Sequence, residues 1–433
     1  MLGPCGDAAR PGAWYAGLVP WHASDLRRAF TILTCVACTR SPALPPSSRS
    51  ADPSGHPLQS LELVESWPLE TSLDHADVRD AKDVWPELID AARVRVDFAE
   101  FYASDEPKAA TALAPIVLAV ERAAARGVKV RWLADAKLAK TYPELLDRFA
   151  GAGVEVRRFD VAKTMGGVLH AKYFVADDVA YIGSQNFDWR SLEHIQELGV
   201  RIAIPEVVHA LVEVFELDWA TAGGVTTRSA RSDAGAPNAF PVHTDAGRVT
   251  FVASPTGWLP DESLWELPAL VKLIDSAAQS VRVQLLTYRA HGGREGEFPD
   301  LEAALKRAAA RGVKVELLVS DWSKRKGTVE GLQALVAPSF EVKFLDVPAH
   351  SSGFIPFARV AHAKYLVVDG SRAWVGTSNW ERDYFFASRN VGVIVEGGAI
   401  PPRLDAFFAG NWGSAYAETL DPTRAYTAPR VGD

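Results

Sequence analysis

Two stretches decide how this sequence is read. One is His170-Ala-Lys172-Tyr-Phe-Val-Ala-Asp177, followed by Gly183-Ser184-Gln185-Asn186. The other is His362-Ala-Lys364-Tyr-Leu-Val-Val-Asp369, followed by Gly376-Thr377-Ser378-Asn379. Side chains two residues apart on a strand share one face, so each His-Lys pair presents an imidazole and an ammonium together. Asp177 and Asp369 stand at odd spacing from the lysines. They are read as structural, closing the turn after the strand, with Gly183 and Gly376 completing the motif.

Working outward, the whole chain is written twice. Arg122-Ala-Ala-Ala-Arg-Gly-Val-Lys-Val130 recurs unchanged as Arg307-Ala-Ala-Ala-Arg-Gly-Val-Lys-Val315. Each copy reads as a helix end, a glycine stop at Gly127 or Gly312, and a strand. Alternating runs upstream, at 94–102 and 281–288, predict further strands. Each half closes on a predicted helix ending at Trp219 or Trp412. The pattern divides the chain into a signal-like segment and tether at 1–60, a first half at 61–222, a turn-rich linker at 223–248, a second half at 249–420 and a tail at 421–433. Alternating strands and helices in both halves predict an α/β fold. It consists of two similar α/β sandwich halves with mixed sheets, packed about a pseudo-twofold axis, so that the matched motifs meet at the seam.

Composition narrows the class. The 433 residues are 48% hydrophobic and 23% charged, as in a packed protein and unlike a disordered one. The formal charge of −8 excludes a broad basic surface. A nucleic acid or an anionic lipid would have to be held by a local positive pocket. All three cysteines, Cys5, Cys35 and Cys38, precede residue 39, so the rest of the chain can form neither a disulfide nor a cysteine-ligated metal site. Arg27-Arg28, an apolar run at 29–37, Cys38 and a Pro/Ser-rich stretch read as a bacterial lipoprotein export signal, with a membrane tether through Cys38. On that reading the protein sits in the cell envelope or is secreted; without it the protein is cytoplasmic.

A neutral imidazole beside an ammonium suits a phosphodiester. Lys172 and Lys364 neutralise the non-bridging oxygens, while His170 and His362 attack phosphorus or transfer a proton. Asn186 and Asn379 can donate amide hydrogen bonds to the same oxygens, as Ser184 and Thr377 can with hydroxyls. No metal and no other cofactor is expected, because these groups already supply charge and donors. Trp380 and Tyr384, in an aromatic group after the second motif, are candidates to stack on bases or hold acyl chains.

On these motifs the sequence resembles the phospholipase D superfamily from about residue 61 onward. Within it the chain is similar to the animal lysosomal phospholipase-D-like 5′ exonucleases. The residues that carry this are Leu63-Val64-Glu65-Ser66, the segment from Gly183 to Ser191, Glu197-Leu198-Gly199-Val200, Ile355-Pro356-Phe357-Ala358-Arg359-Val360 and Gly376-Thr-Ser-Asn-Trp380. The chain departs from those relatives in having no cysteine after Cys38.

The resemblance implies a covalent phosphohistidine, formed by one histidine while the other protonates the leaving oxygen. It also implies that Glu197, eleven positions after Asn186, orients the nucleophilic imidazole. The matching Asn390 carries no charge, so His170 is expected as nucleophile and His362 as general acid. The function expected is exonuclease action on single-stranded DNA or RNA ends. A phospholipase D or transphosphatidylase acting on phospholipids is the alternative, since it would use the same residues. A catalytically silent phosphodiester-binding protein is a third reading. Both half-sites lie in one chain, so the protein is expected to be active as a monomer.

Overall fold

The computed structural model describes residues 59–106, 110–225, 240–289 and 297–432. Cys38 and the signal-like segment lie outside the described residues, as does most of the predicted linker. The duplicated nine-residue segment folds alike in both places. Helices Ala114–Ala125 and Asp300–Ala310 end just before Gly127 and Gly312, each at φ 83°. Strands Lys129–Asp135 and Lys314–Ser320 follow. Arg122 and Arg307 also meet matched partners, reaching Asp90 at 2.6 Å and Asp275 at 2.7 Å.

Each half builds one large mixed sheet, and the first half adds a short two-stranded one, Ala103–Ser104 with Phe187–Asp188. In the first, the strands run in the spatial order Arg79–Asp80, Leu61–Ser66, Ile195–Ile202, Val179–Gly183, Lys172–Ala176, Arg95–Glu100, Lys129–Asp135, Glu155–Phe159. Strand Arg95–Glu100 is parallel to Lys129–Asp135 and antiparallel to Lys172–Ala176. The second sheet repeats this with Gly247–Ser254, Asn390–Glu396, Arg372–Gly376, Tyr365–Val368, Ser280–Leu285, Lys314–Ser320 and Phe340–Leu345. It adds Val242–Thr244 at one edge and Ala417–Thr419 at the other.

Apolar side chains fill three large cores. One lies outside each sheet, under helices Ala81–Ala91 and Ala114–Ala125 in the first half and Glu266–Asp275 and Asp300–Ala310 in the second. The third joins the halves. It packs helices Pro205–Ala222 and Ile400–Gly413 between the facing sides of the two sheets. Burying apolar area between the sheets fixes how the halves sit, and with it the seam that carries the motifs.

Two boundaries differ from the sequence reading. The hairpin Val242–Thr244 with Gly247–Ser254 belongs to the second sheet, so the last residues of the predicted linker are structural. The first long strand ends at Glu100, and its copy at Leu285. Phe101 and Tyr102 therefore leave the sheet, toward the seam.

Candidate active site

Both histidines lie at the seam, each hydrogen-bonded through its backbone to the opposite half. The His170 amide donates to the Arg389 carbonyl at 3.0 Å, beside a parallel bridge between Leu169 and Arg389. The His362 amide donates to the Gln196 carbonyl at 2.8 Å, where Val360–Ala361 pairs in parallel with Ile195 and Gln196. Asp135 accepts the Leu169 amide at 2.9 Å, which helps hold the chain entering His170. Both histidines are buried.

Their imidazole partners also come from across the seam. Nδ1 of His362 lies 2.7 Å from Oε2 of Glu197, and Nδ1 of His170 lies 3.1 Å from Oδ1 of Asn390. This corrects the expectation that Glu197 backs His170. Glu197 and Asn390 hold equivalent places in their own halves, but each strand runs across the seam to the other half's histidine. Asn390 is oriented without ambiguity. Its amide donates to the carbonyls of Tyr384 and Ser388, so Oδ1 is left to accept from Thr377 and His170.

The electrostatics of the two histidines differ accordingly. Burial pulls His362 down to about 4, only partly opposed by Glu197. Glu197 is held below the usual carboxylate range because His362 and Lys364 outweigh its own burial. The pair is thus a neutral imidazole donating Nδ1–H to an ionised carboxylate. Burial, with Lys172 and Lys364 nearby, pushes His170 well below its ordinary value, and Asn390 offers no charge against that.

Each lysine donates to the carbonyl of its own motif histidine, Lys172 at 2.7 Å and Lys364 at 2.6 Å. Strand Lys172–Ala176 starts at the lysine, so His170 sits just outside it and still shares its face. Burial lowers Lys172 to about 7 and Lys364 well below a normal lysine. Glu100, missed by the sequence reading, is the cross-strand partner of Lys172 and is buried beside it. Desolvation raises its carboxyl far above the usual range. Its signal in the sequence was faint, because the same six-residue strand also carries Arg95 and Asp97; its structural counterpart is Leu285.

Asn186 and Asn379 are buried at the motif ends, and neither carboxamide oxygen has a protein partner. Asn379 donates to the Tyr384 hydroxyl at 3.0 Å, and the Tyr384 ring meets His170 edge-on at 4.8 Å. Ser184 and Thr377 are corrected. Their hydroxyls lie behind the histidine partners, where Ser184 helps keep Glu197 ionised and Thr377 donates to Asn390 at 2.9 Å. Each also accepts a strand amide, from Leu198 and Val391 respectively. Trp380 is corrected too. It is fully buried in the core of the second half, against Tyr288 and Trp374.

Asp177 and Asp369 point away from the site. Asp177 accepts the amides of Arg93, Val94 and Arg95, and Asp369 those of Ala278, Gln279 and Ser280. Both sit at positive φ, 53° and 52°. Gly183 and Gly376 leave room for a ring crossing the strand. A Cβ at Gly183 would lie 2.7 Å from the Tyr181 hydroxyl, and one at Gly376 would lie 2.5 Å from the Trp374 ring. Among the described residues, no three His, Cys, Asp or Glu side chains converge to hold a metal ion.

Paired imidazoles, ammoniums and carboxamides converging on one buried spot define a phosphodiester-cleaving enzyme. The family described as "Cardiolipin synthase, PLD-like domain" matches residues 86–219 and 270–412, one repeat in each half. The chain belongs to this family and so to the phospholipase D superfamily. It is 31% identical to the virion nicking-joining enzyme of vaccinia virus (strain Western Reserve) over 79% of this chain and 85% of that one. It is also 31% identical to the mouse 5'-3' exonuclease PLD4, over 83% of this chain and 80% of that one. Among solved structures, phosphatidylserine synthase of Haemophilus influenzae shares the fold, with a TM-score of 0.58 at 13% identity over 85% of this chain and 89% of that one.

Proposed function

We propose that this phosphodiesterase is an exonuclease on the ends of single-stranded DNA or RNA, with His362 as nucleophile and His170 as general acid. The Glu197–His362 hydrogen bond carries the assignment of roles. With Nδ1–H donated to Glu197, the Nε2 lone pair of His362 is free to attack phosphorus. The N–P bond forms as the P–O bond to the leaving alcohol breaks, and His170 gives its proton to the departing oxygen. The positive charge that develops on the phosphorylated ring is stabilised by Glu197. Lys172 and Lys364 oppose the charge on the phosphoryl oxygens, and Asn186 and Asn379 lie at hand for hydrogen bonds. In the second step His170, now neutral, takes a proton from water as the water attacks phosphorus. The N–P bond then breaks, and His362 is restored.

Support for the nucleic-acid substrate comes from the similarity to the mouse exonuclease, which spans most of both chains. The half-buried rings beside His170 also favour it. The test is turnover in EDTA of a single-stranded oligonucleotide and of phosphatidylcholine micelles, with His362→Ala as control. Shortening of the oligonucleotide by the wild type alone is expected. Choline release without shortening would replace the nuclease by a phospholipase D.

A further inference from the structure

The two catalytic candidates stand in unlike surroundings. Beside His170 lie Phe101, with ring centroids 5.2 Å apart, and Tyr384 at 4.8 Å. The rings continue outward from Phe101. Tyr102 lies 5.8 Å from it, and Tyr142 stacks on Tyr102 at 5.1 Å. All four are half-buried, whereas Trp380 and Phe385 are sealed in the core. The wall is also braced from behind. Asp188 holds the Tyr102 hydroxyl, and the Arg190 guanidinium clamps Asp188 at 2.7 Å.

The pseudo-twofold positions around His362 carry no such rings. Strand register places Leu286 and Thr287 where the first half has Phe101 and Tyr102. Ser191 stands where the second half has Tyr384, on the matching short helix. Trp322 on that side packs against an apolar cluster of Ile195, Ala358 and Val360.

We infer that Phe101, Tyr102, Tyr142 and Tyr384 form a stacking subsite for the nucleobase of the departing nucleotide. This rests on the proposed nuclease reading, in which His170 protonates the leaving oxygen and so faces the leaving alcohol. Aromatic side chains stack on any base through its π-face, so the subsite fits a nuclease without sequence preference. A quaternary ammonium is the other ligand such rings can hold. It is disfavoured here, because Lys172 already sits 5.0 Å from the Phe101 ring centre and would repel a second cation.

The test uses short oligothymidylates carrying one abasic residue, either on the departing or on the retained side of the scissile bond. Which side departs is read from the position of the phosphate on the products. Loss of the departing base is expected to lower kcat/KM about tenfold, on the scale of one base–aromatic stack, and loss of the retained base far less. Tyr102→Thr and Tyr142→Ala are each expected to bring the departing-base ratio close to one. The ratio compares two substrates on one protein, so a partly unfolded variant does not mimic the result. Equal losses on both sides, or a ratio unchanged in both variants, would overturn the subsite while leaving the nuclease standing. Choline release with no oligonucleotide cleaved would overturn the nuclease reading itself.

Discussion

Glu197 belongs to the first half of the chain and His362 to the second, and their side chains meet 2.7 Å apart. The mirror contact, His170 with Asn390, has the same geometry and lacks the charge. Each half therefore contributes a histidine that the other half orients. Glu197→Gln should keep the hydrogen bond and lose the charge opposing the phosphorylated ring, costing about 10²- to 10⁴-fold in kcat. Asn390→Ala should cost less. Mass spectrometry of acid-avoiding digests after substrate trapping should find the phosphoryl group on the peptide containing His362. Its recovery on His170 would reverse the assigned roles.

The pH profile follows from the same groups. His362 must be unprotonated to attack, and burial has already lowered it to about 4. Lys172 must be protonated to oppose the phosphate charge, and burial has lowered it to about 7. Activity should thus fall below about pH 4 as His362 is protonated. On the alkaline side it should fall in two stages, first below the ordinary histidine value as His170 loses its proton and then above about pH 7 as Lys172 does. The optimum therefore lies on the acid side. The lowered His170 acts in the same direction as Lys172, since the general acid needs its proton. Steady-state kcat/KM measured through the acidic and neutral range checks both limbs.

Glu100 bears on the alkaline limb alone. Burial keeps its carboxyl protonated through the acid range, so it takes up charge only toward the alkaline limb, where that charge favours protonated Lys172, its partner across the antiparallel pair. In Glu100→Gln that support is gone, so Lys172 should lose its proton at lower pH and the alkaline limb should move toward acid. The acid limb should stay in place. A uniform loss of rate at every pH would mark Glu100 as a packing residue only.

Arg389 and Asp218 form a fully buried ion pair that ties the seam to helix Pro205–Ala222. The guanidinium also donates to the carbonyls of Ser254 and Trp258. Asp218→Ala leaves the cation uncompensated and should lower stability by about 3–5 kcal/mol in urea unfolding. The Arg389 carbonyl holds the His170 amide, so activity should fall with the same variant.

Asp177 and Asp369 should behave as structural residues. Replacing either by alanine strands three backbone amides and places a non-polar residue at positive φ, at a cost of about 1–3 kcal/mol. Asparagine tolerates that backbone region and keeps one acceptor, so Asp177→Asn should lose less. In both cases the midpoint of denaturation should move and the pH profile of the folded enzyme should not.

Much of this was legible in the residues themselves. The repeat of Arg122 to Val130 marked the duplication, and Gly127 and Gly312 marked matched helix ends. The spacing of His170 and Lys172, and of His362 and Lys364, marked the chemistry. The odd offset of Asp177 and Asp369 sent them away from it. Periodicity, glycine stops and strand alternation act over a few residues, so a single chain displays them directly.

Only the tertiary structure decided which groups meet across the seam. It set Glu197 behind His362, turned Ser184 and Thr377 to the back of the site, sealed Trp380 in the core and brought Phe101 and Tyr102 beside His170. The Glu197–His362 contact spans 165 residues of sequence. No local pattern encodes it. It arises because the apolar area shared by the two sheets and their central helices fixes one packing of the halves, and that packing alone sets two parallel strand ends against each other's histidines.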